Sequence, residues 1–134
     1  MEKTYSGGFL FNPKTQSVLL HQRDEKAAVN PNKWAFFGGL NEGDETPQQG
    51  FIRELFEEIG LVVESEEVLL LRDYLNEELS TYRYVFYVES VVSVGDLVLG
   101  EGRGFDWIAL SELSRYDLTE KTQEDLEYFK NTIK

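Results

Sequence analysis

Alternating hydrophobic and polar positions predict β-strands along much of the chain. The clearest segment is residues 81–92, in which Tyr82, Tyr84, Phe86 and Val88 alternate with Arg83, Val85 and Tyr87. Further strands are predicted at residues 4–11, 17–22, 61–63, 68–74, 97–99 and 105–108. The turn-forming segment 12–16 joins the first two of these strands, and Asn30-Pro31-Asn32 marks a turn within the loop 27–33.

Hydrophobic positions with helical spacing predict two helices. Thr46-Pro47-Gln48-Gln49 has the capping-box pattern of a helix start, and Gly60 supplies the stop. Between them, one apolar stripe is predicted to face a core, and it consists of Ile52, Leu55, Phe56 and Ile59. The second helix covers residues 119–133, with Leu126, Phe129 and Ile133 on its buried side, and residues 111–113 form a short helical turn. Strands outnumber helices, and the helices are separated along the chain. We therefore expect an α/β (α+β) fold in which helices cover both faces of a mixed sheet.

A second face of the first helix carries three carboxylates. Glu54, Glu57 and Glu58 have i, i+3, i+4 spacing, so their side chains converge and repel one another. A hard cation such as Mg²⁺, which takes oxygen ligands, would turn this repulsion into ligation. The alternative is a solvated acidic face on which Arg53 is the i, i+4 partner of Glu57.

Composition and charge narrow the class of protein. The chain has 134 residues, no cysteine and a net charge of −12. This charge argues against binding of duplex nucleic acid, which depends on basic surfaces. If the substrate of such an acidic chain were an anionic phosphate compound, a divalent cation would be needed between the two. The N-terminus lacks the apolar core of a signal peptide and no segment has membrane-spanning length, so we expect a cytoplasmic protein that does not bind membranes.

The carboxylate helix belongs to a longer motif in the segment GLNEGDETPQQGFIRELFEEIGL. Its spacing resembles the signature of the Nudix hydrolases at Gly39, Glu45, Arg53, Glu54, Glu57, Glu58 and Gly60. The approach to the motif, VLLHQR and then WAFFGG, and the later segment EGRGFDW are similar to the mutator-type (MutT-like) branch. Gly50 stands where that helix usually carries Ala. Glycine lowers the stability of a helix by about 1 kcal/mol relative to alanine, and its presence here has no functional explanation. The resemblance implies one Nudix domain over residues 1–134, folded as an α/β/α sandwich.

The resemblance also implies roles for individual residues. Glu57, Glu58 and the Gly38 carbonyl would bind Mg²⁺, with Mn²⁺ as an alternative cation. Glu54 would be a further ligand or the base that activates water, and Arg53 would orient it. Glu45 would close the junction between loop and helix, while Gly39 and Gly60 would be structural. Glu101 would complete the metal site or serve as base; the alternative is a loop carboxylate in water.

The implied reaction is hydrolysis of a nucleoside diphosphate linked to another group X. The downstream segment 75–78 lacks the family's markers for ADP-ribose and for dinucleoside polyphosphates, which leaves a (deoxy)nucleoside triphosphate, cleaved to monophosphate and pyrophosphate. One alternative is that the substrate is a nucleotide sugar or a dinucleoside polyphosphate. The other is that the protein is a non-catalytic nucleotide sensor with the same fold. The family often forms homodimers, so a homodimer is also possible.

Five further side chains have a structural interpretation, and four of them also have a functional one. Arg23 is either a phosphate ligand or a surface arginine. The only histidine, His21, is interpreted as a partly exposed strand residue. Tyr5, Tyr82 or Phe105 would stack on the base, although aromatic residues in strands are more often core.

Overall fold

Seven strands form one mixed sheet in the computed structural model, which describes residues 3–28, 30–100 and 102–133. The strands are β1 (Lys3–Asn12), β2 (Ser17–Gln22), β3 (Trp34–Ala35), β4 (Phe37–Leu40), β5 (Leu69–Asn76), β6 (Thr81–Glu89) and β7 (Gly104–Ala109). The order across the sheet is β3-β2-β1-β6-β5, with β4 also paired to β1 and β7 to β2. Only β1 and β6 pair in parallel among these described strands, so the sheet is mixed as expected.

The two helices, α1 (Pro47–Ile59) and α2 (Glu120–Thr132), cover opposite faces of the sheet. The alternation of β1 divides its side chains between the two layers. Phe9 and Phe11 pack with Phe129 of α2, whereas Leu10 belongs to the cluster that contains α1. Four shorter 3₁₀ helices lie at Ser65–Glu67, Glu77–Leu79, Val94–Asp96 and Leu110–Arg115. The expected α/β/α arrangement is confirmed.

The ends of α1 are those that the sequence predicts, but its buried stripe is different. Thr46 accepts from the Gln49 amide in a complete capping box, and Gly60 adopts the left-handed conformation (φ 70°) with its N–H bonded to Phe56. Phe51 and Leu55 are fully buried, whereas Phe56 is 58% exposed. The prediction that Phe56 faces the core is therefore wrong. The helix is rotated so that Glu54 and Glu58 also lie against the sheet layer.

Two predicted strands are absent from the structure, and two other predicted segments differ at their ends. Residues 61–63 and 97–99 belong to no strand. The second of these segments instead runs beside the end of α1, where the Val98 amide donates to the Ile59 carbonyl (3.0 Å). The long strand ends at Glu89 rather than at residue 92. Ile133, predicted to lie on the buried side of the last helix, is 37% exposed just after the end of α2, so that prediction is wrong. The helical turn at 111–113 is confirmed within Leu110–Arg115.

Gly50 now has a structural explanation. A Cβ at this position would lie 2.5 Å from Oδ1 of Asn41, and that oxygen accepts from the Ser6 hydroxyl (2.7 Å). The glycine lets α1 approach the loop that enters it, which offsets its low helix propensity. Within the described residues, neither helix has the length and apolar composition that crossing a membrane requires.

Candidate active site

A cleft of about 510 Å³ runs between the sheet and the start of α2, and several predicted site residues line it. Gly38, Glu58 and Arg23 lie in its wall, together with His21. A second cavity, of about 310 Å³, lies between Leu110–Arg115 and α2 and contains none of the predicted site residues. The larger cleft is therefore the candidate active site.

Glu58 and Gly38 are brought together by the pairing of β4 with β1. The backbone N–H of Asn41 donates to the Thr4 carbonyl, so Asn41 and Thr4 are a hydrogen-bonded pair of the antiparallel ladder. Because such pairs alternate with non-hydrogen-bonded pairs, Gly38 and Gly7 are a non-hydrogen-bonded pair. The N–H and C=O of Gly38 therefore point away from β1. The Gly38 N–H donates to Oε2 of Glu58 (3.0 Å). Glu58 is only 3% exposed. The carboxylate and the Gly38 carbonyl thus face the same side of the strand.

Arg53 is the centre of an ion-pair network around the helix start. Its Nε lies 2.6 Å from Oε2 of Glu45, and its Nη1 lies 3.3 Å from Oε2 of Glu54 and 2.9 Å from Oε1 of Glu57. The hydrogen bond with Arg53 lowers the pKa of the Glu45 carboxyl, and the same bond raises the pKa of Arg53. The ion pair between Arg53 and Glu57, expected from their i, i+4 spacing, is therefore present as one part of a larger network.

Glu45 lies where a residue that closes the loop-helix junction is expected. Besides binding Arg53, its Oε1 accepts from the backbone N–H of Glu42 (2.9 Å). Arg53 also donates to the Leu40 carbonyl (3.3 Å), which ties the helix to the end of β4. The network therefore fixes the loop between β4 and α1 as well as the acidic side chains.

The three helix carboxylates differ in exposure. Glu54 is 9% exposed and lies against Gly39, where any side chain would collide with its Oε2. The side chain of Glu57 is half exposed. Gly39 is therefore required for the close approach of Glu54 to β4, and the cluster spans a boundary between the protein interior and solvent.

The donors in this region suit Mg²⁺ by their chemistry, since carboxylate and carbonyl oxygens are the ligands that it prefers. Within residues 3–28, 30–100 and 102–133, no group of three or more acidic or histidine side chains is close enough to hold a metal ion. Arg53 and the Gly38 amide hold the Glu57 and Glu58 carboxylates in hydrogen bonds. Glu101, predicted to complete the site, lies outside the described residues.

His21 is buried, so the prediction of a partly exposed strand residue is wrong. It is 7% exposed, its ring stacks on Phe37 with centroids 5.2 Å apart, and its Nε2 lies 3.8 Å from Oε1 of Glu58. Burial lowers the pKa of His21 to about 4, so the ring is neutral near pH 7 and forms no ion pair with Glu58. Alternation failed as a guide here because both faces of β2 are covered.

Basic side chains line the cleft although the chain as a whole is acidic. Arg23, Lys33, Arg83 and Lys121 lie in its wall. Only Arg23 was identified from the sequence, and its place in the cleft agrees with a phosphate-binding role without testing it. Arg83 had a signal that was not used, namely an arginine within the most strongly alternating strand.

The three aromatic residues considered for base stacking separate in the structure. Tyr5 lines the cleft. Phe105 packs against the core cluster on the α1 side, and Tyr82 donates from its hydroxyl to Asp73. Tyr5 is therefore the one of the three that lies where a bound nucleotide would contact it.

A family model described as the NUDIX domain matches residues 2–131. The chain therefore belongs to the Nudix family. This match confirms the expected enzyme class, the Nudix pyrophosphohydrolases. MutT proteins are among the solved structures with a similar fold.

Three of the similar solved structures illustrate the range of proteins that share the fold. A MutT protein from Methanosarcina mazei is 23% identical with a TM-score of 0.79, and the match covers 99% of this chain and 96% of that one. The Nudix domain of Shewanella oneidensis NrtR, complexed with ADP ribose, is 15% identical with a TM-score of 0.82, over 100% and 90% of the two chains.

The third is a bifunctional NMN adenylyltransferase/ADP ribose pyrophosphatase from Francisella tularensis, complexed with AMP and a Mn ion. It is 21% identical with a TM-score of 0.76, over 98% of this chain and 42% of that one. At these identities the likeness establishes the fold alone.

Proposed function

We propose that the protein hydrolyses a phosphoric anhydride bond in a nucleoside diphosphate linked to X, with Mg²⁺ as cofactor. The leading substrate is a (deoxy)nucleoside triphosphate, cleaved to a monophosphate and pyrophosphate. The observation that carries this proposal is the arrangement of the acidic helix: Arg53 joins Glu45, Glu54 and Glu57, while Glu58 is bound to Gly38 at the wall of a cleft with basic side chains.

Each residue has a proposed role that its surroundings support. Glu57, Glu58 and the Gly38 carbonyl would hold the cation, and Mn²⁺ would be an alternative to Mg²⁺. When bound, the cation neutralises phosphate charge and lowers the pKa of coordinated water. Glu54, buried beside Gly39, would accept the proton of the attacking water or add a further ligand. Arg53 orients Glu54 and Glu57 through its hydrogen bonds, and Glu101 would supply a further ligand or the base.

The cleft side chains account for recognition of an anionic substrate. Arg23 and Lys33 lie near the loop after β2, and the Arg23 amide donates to the Lys33 carbonyl (2.8 Å), which holds the two segments together. A guanidinium binds phosphate oxygens through paired N–H groups. We propose that Arg23 contacts a phosphate of the substrate.

The substrate is tested by hydrolysis of a nucleotide panel in Mg²⁺, with products separated and identified. The panel holds ordinary and oxidised nucleoside triphosphates, ADP-ribose, nucleotide sugars and dinucleoside polyphosphates, with Glu57→Gln as the blank. We expect monophosphate and pyrophosphate from one triphosphate, and no such products from the variant. Cleavage of ADP-ribose or a nucleotide sugar would keep the reaction and change the substrate. Tight nucleotide binding without turnover would instead identify a sensor.

Gly39→Ala tests whether the close approach of Glu54 to β4 matters for the reaction. The added methyl group displaces the end of a flexible side chain rather than backbone, so we expect a loss of stability below about 1 kcal/mol. Because Glu54 must move, kcat is expected to fall about 100-fold, as when an active-site group is misplaced. Kinetics and urea unfolding measure the two effects. The matched control is Gly104→Ala, where nothing lies within 4 Å of a new Cβ, and equal activity in both variants would contradict the role of Glu54.

A further inference from the structure

Asn76 ends β5 in the wall of the cleft, and the motif that identifies the acidic site does not include it. Its side chain is 5% exposed. Its Oδ1 is buried and has no hydrogen-bond partner among the described residues. An acceptor buried in this way costs about 1–3 kcal/mol and calls for an explanation.

The local structure does not use this oxygen. Asn76 occupies the position before the 3₁₀ helix Glu77–Leu79, where an asparagine side chain commonly caps the first turn, yet it makes no such bond. The hairpin turn is formed by Ser80 in the left-handed region (φ 50°), and Asn76 pairs with Thr81 through the backbone alone. The carboxamide therefore serves neither the turn nor the helix start.

Three other polar side chains of the cleft already have partners within the protein. The Thr81 hydroxyl donates to the Leu79 carbonyl (2.9 Å), and the Thr119 hydroxyl donates to that of Thr122 (2.7 Å). Arg83 donates to Asp125 (3.0 Å). The oxygen of Asn76 is thus an acceptor left over for a molecule in the cleft.

The wall of the cleft includes planar side chains as well as this acceptor. The guanidinium of Arg83 lies 4.5 Å from the centroid of the Tyr5 ring, and both residues line the cleft with Asn76. Aromatic rings and guanidinium planes are the surfaces on which nucleobases stack. A planar group with an N–H donor at its edge would suit this wall and this acceptor together.

Asn76 lies apart from the acidic site both along the strands and across the sheet. Asn76 is in register with Thr81, which is in register with Lys3, whereas Gly38 lies opposite Gly7. Four residues of β1 separate these levels, or roughly 13 Å along the strand, and three strand spacings from β4 to β5 add roughly 14 Å across the sheet. A nucleotide whose phosphates lie beside Gly38 and Glu58 would have to extend across the sheet to place its base against Asn76.

We propose that Oδ1 of Asn76 accepts a hydrogen bond from an exocyclic amino group of the substrate's base, so that the cleft selects amino bases over their oxo counterparts. This inference rests on the proposed function, because it assigns the base end of the same substrate. An oxo group at that edge would place two acceptors against each other, which leaves the buried oxygen unsatisfied and adds repulsion. Asn76 is therefore a specificity-determining residue.

The test measures binding of nucleoside monophosphates without metal, so that it does not depend on turnover. AMP and IMP, GMP and XMP, and CMP and UMP each differ by the exchange of one amino group for an oxo group. In the wild-type protein we expect the amino member of at least one pair to bind about ten- to a hundredfold more tightly. In Asn76→Leu the difference should disappear, while the free energy of unfolding stays the same or rises.

Two further variants keep the test decisive. Asn76→Asp retains an acceptor oxygen and should retain the preference for the amino base, even if Asn76→Leu folds poorly. Asn131→Leu, on the exposed side of α2, should change nothing. Equal binding within every pair by the wild-type protein, or an unchanged preference in Asn76→Leu, would overturn the proposal. Hydrolysis of triphosphates without amino preference would refute this inference alone, whereas amino-selective binding without any hydrolysis would refute only the proposed reaction.

Discussion

Replacing Glu58 by glutamine is expected to lower kcat at least about 100-fold, since loss of even an outer-shell partner of a metal site costs 10–100-fold. The amide oxygen of glutamine can still accept from the Gly38 N–H, which Glu58 now binds at 3.0 Å. The substitution therefore removes the charge while keeping the shape and the hydrogen bond. Steady-state kinetics on the preferred nucleotide measures the loss.

Glu58→Gln should lower kcat without lowering the free energy of unfolding. The carboxylate is 3% exposed and shares the acidic site with Glu54 and Glu57, so removing its charge relieves both desolvation and repulsion. In the presence of a metal chelator, we expect the free energy of unfolding of the variant, measured in urea, to be equal to or higher than that of the wild-type protein. Mg²⁺ at about 100 times its Kd should stabilise the wild-type protein by about 2.7 kcal/mol, and the variant by much less.

The matched control for this experiment is Glu66→Gln, which removes the same charge from an exposed position in the 3₁₀ helix Ser65–Glu67. It should change neither kcat nor the response to Mg²⁺. Unchanged turnover in Glu58→Gln would refute the assignment of α1 as the catalytic helix. A loss of turnover accompanied by unfolding would show that Glu58 acts through the structure instead.

The parts of the fold that the sequence predicts correctly are those fixed by neighbouring residues. The limits of α1 follow from Thr46 and Gly60, whose effects on the backbone extend over only a few positions. The segments 61–63 and 97–99 were wrongly assigned as strands because a strand needs a partner with a free edge, and such pairing is a property of the whole sheet. Phe56 was misassigned for a related reason: Ile52, Leu55 and Ile59 are compatible with more than one rotation of the helix.

The sequence predicts which residues belong to the candidate site, but not how deeply they are buried or what they contact. Helical spacing brought Arg53, Glu54 and Glu57 together, because side chains on one helix have fixed relative positions. The burial of Glu54 and Glu58 depends on Gly39 and Gly38, which lie on β4 rather than on the helix. His21 and Asn76 have ordinary positions in the sequence, and only the packing around them reveals a neutral buried imidazole and an unpaired amide oxygen.

The net charge of the whole chain does not describe the charges that line the cleft. The chain carries −12, yet basic side chains line the cleft, namely Arg23 after β2, Lys33 before β3, Arg83 of β6 and Lys121 of α2. The sequence argument needed a cation to reconcile an acidic protein with an acidic substrate. The structure adds a second means, since Arg23 and Lys33 provide positive charge where the phosphates would lie.

The largest expected effect on stability comes from Asp125→Ala. Asp125 of α2 is fully buried and accepts from Arg72 (2.8 Å), from the Tyr74 hydroxyl (2.8 Å) and from Arg83 (3.0 Å). These three partners lie on β5 and β6, so one carboxylate attaches the helix to two strands. Burial, with the adjacent Asp125 charge, raises the pKa of Tyr74 to about 12, so its hydroxyl remains a donor across the physiological range.

Removing this carboxylate leaves Arg83, only 8% exposed, without its counterion. Breaking a buried pair in this way costs about 3–5 kcal/mol, a large fraction of the total stability of a small domain. Urea unfolding should therefore show a much lower midpoint for Asp125→Ala. Glu124→Ala is the matched control, because its i, i+3 pair with Lys121 (3.3 Å) lies at the surface and should contribute less than about 1 kcal/mol. If the two variants were equally stable, α2 would be held by Leu126 and Phe129 alone, and the buried network would not contribute to its attachment.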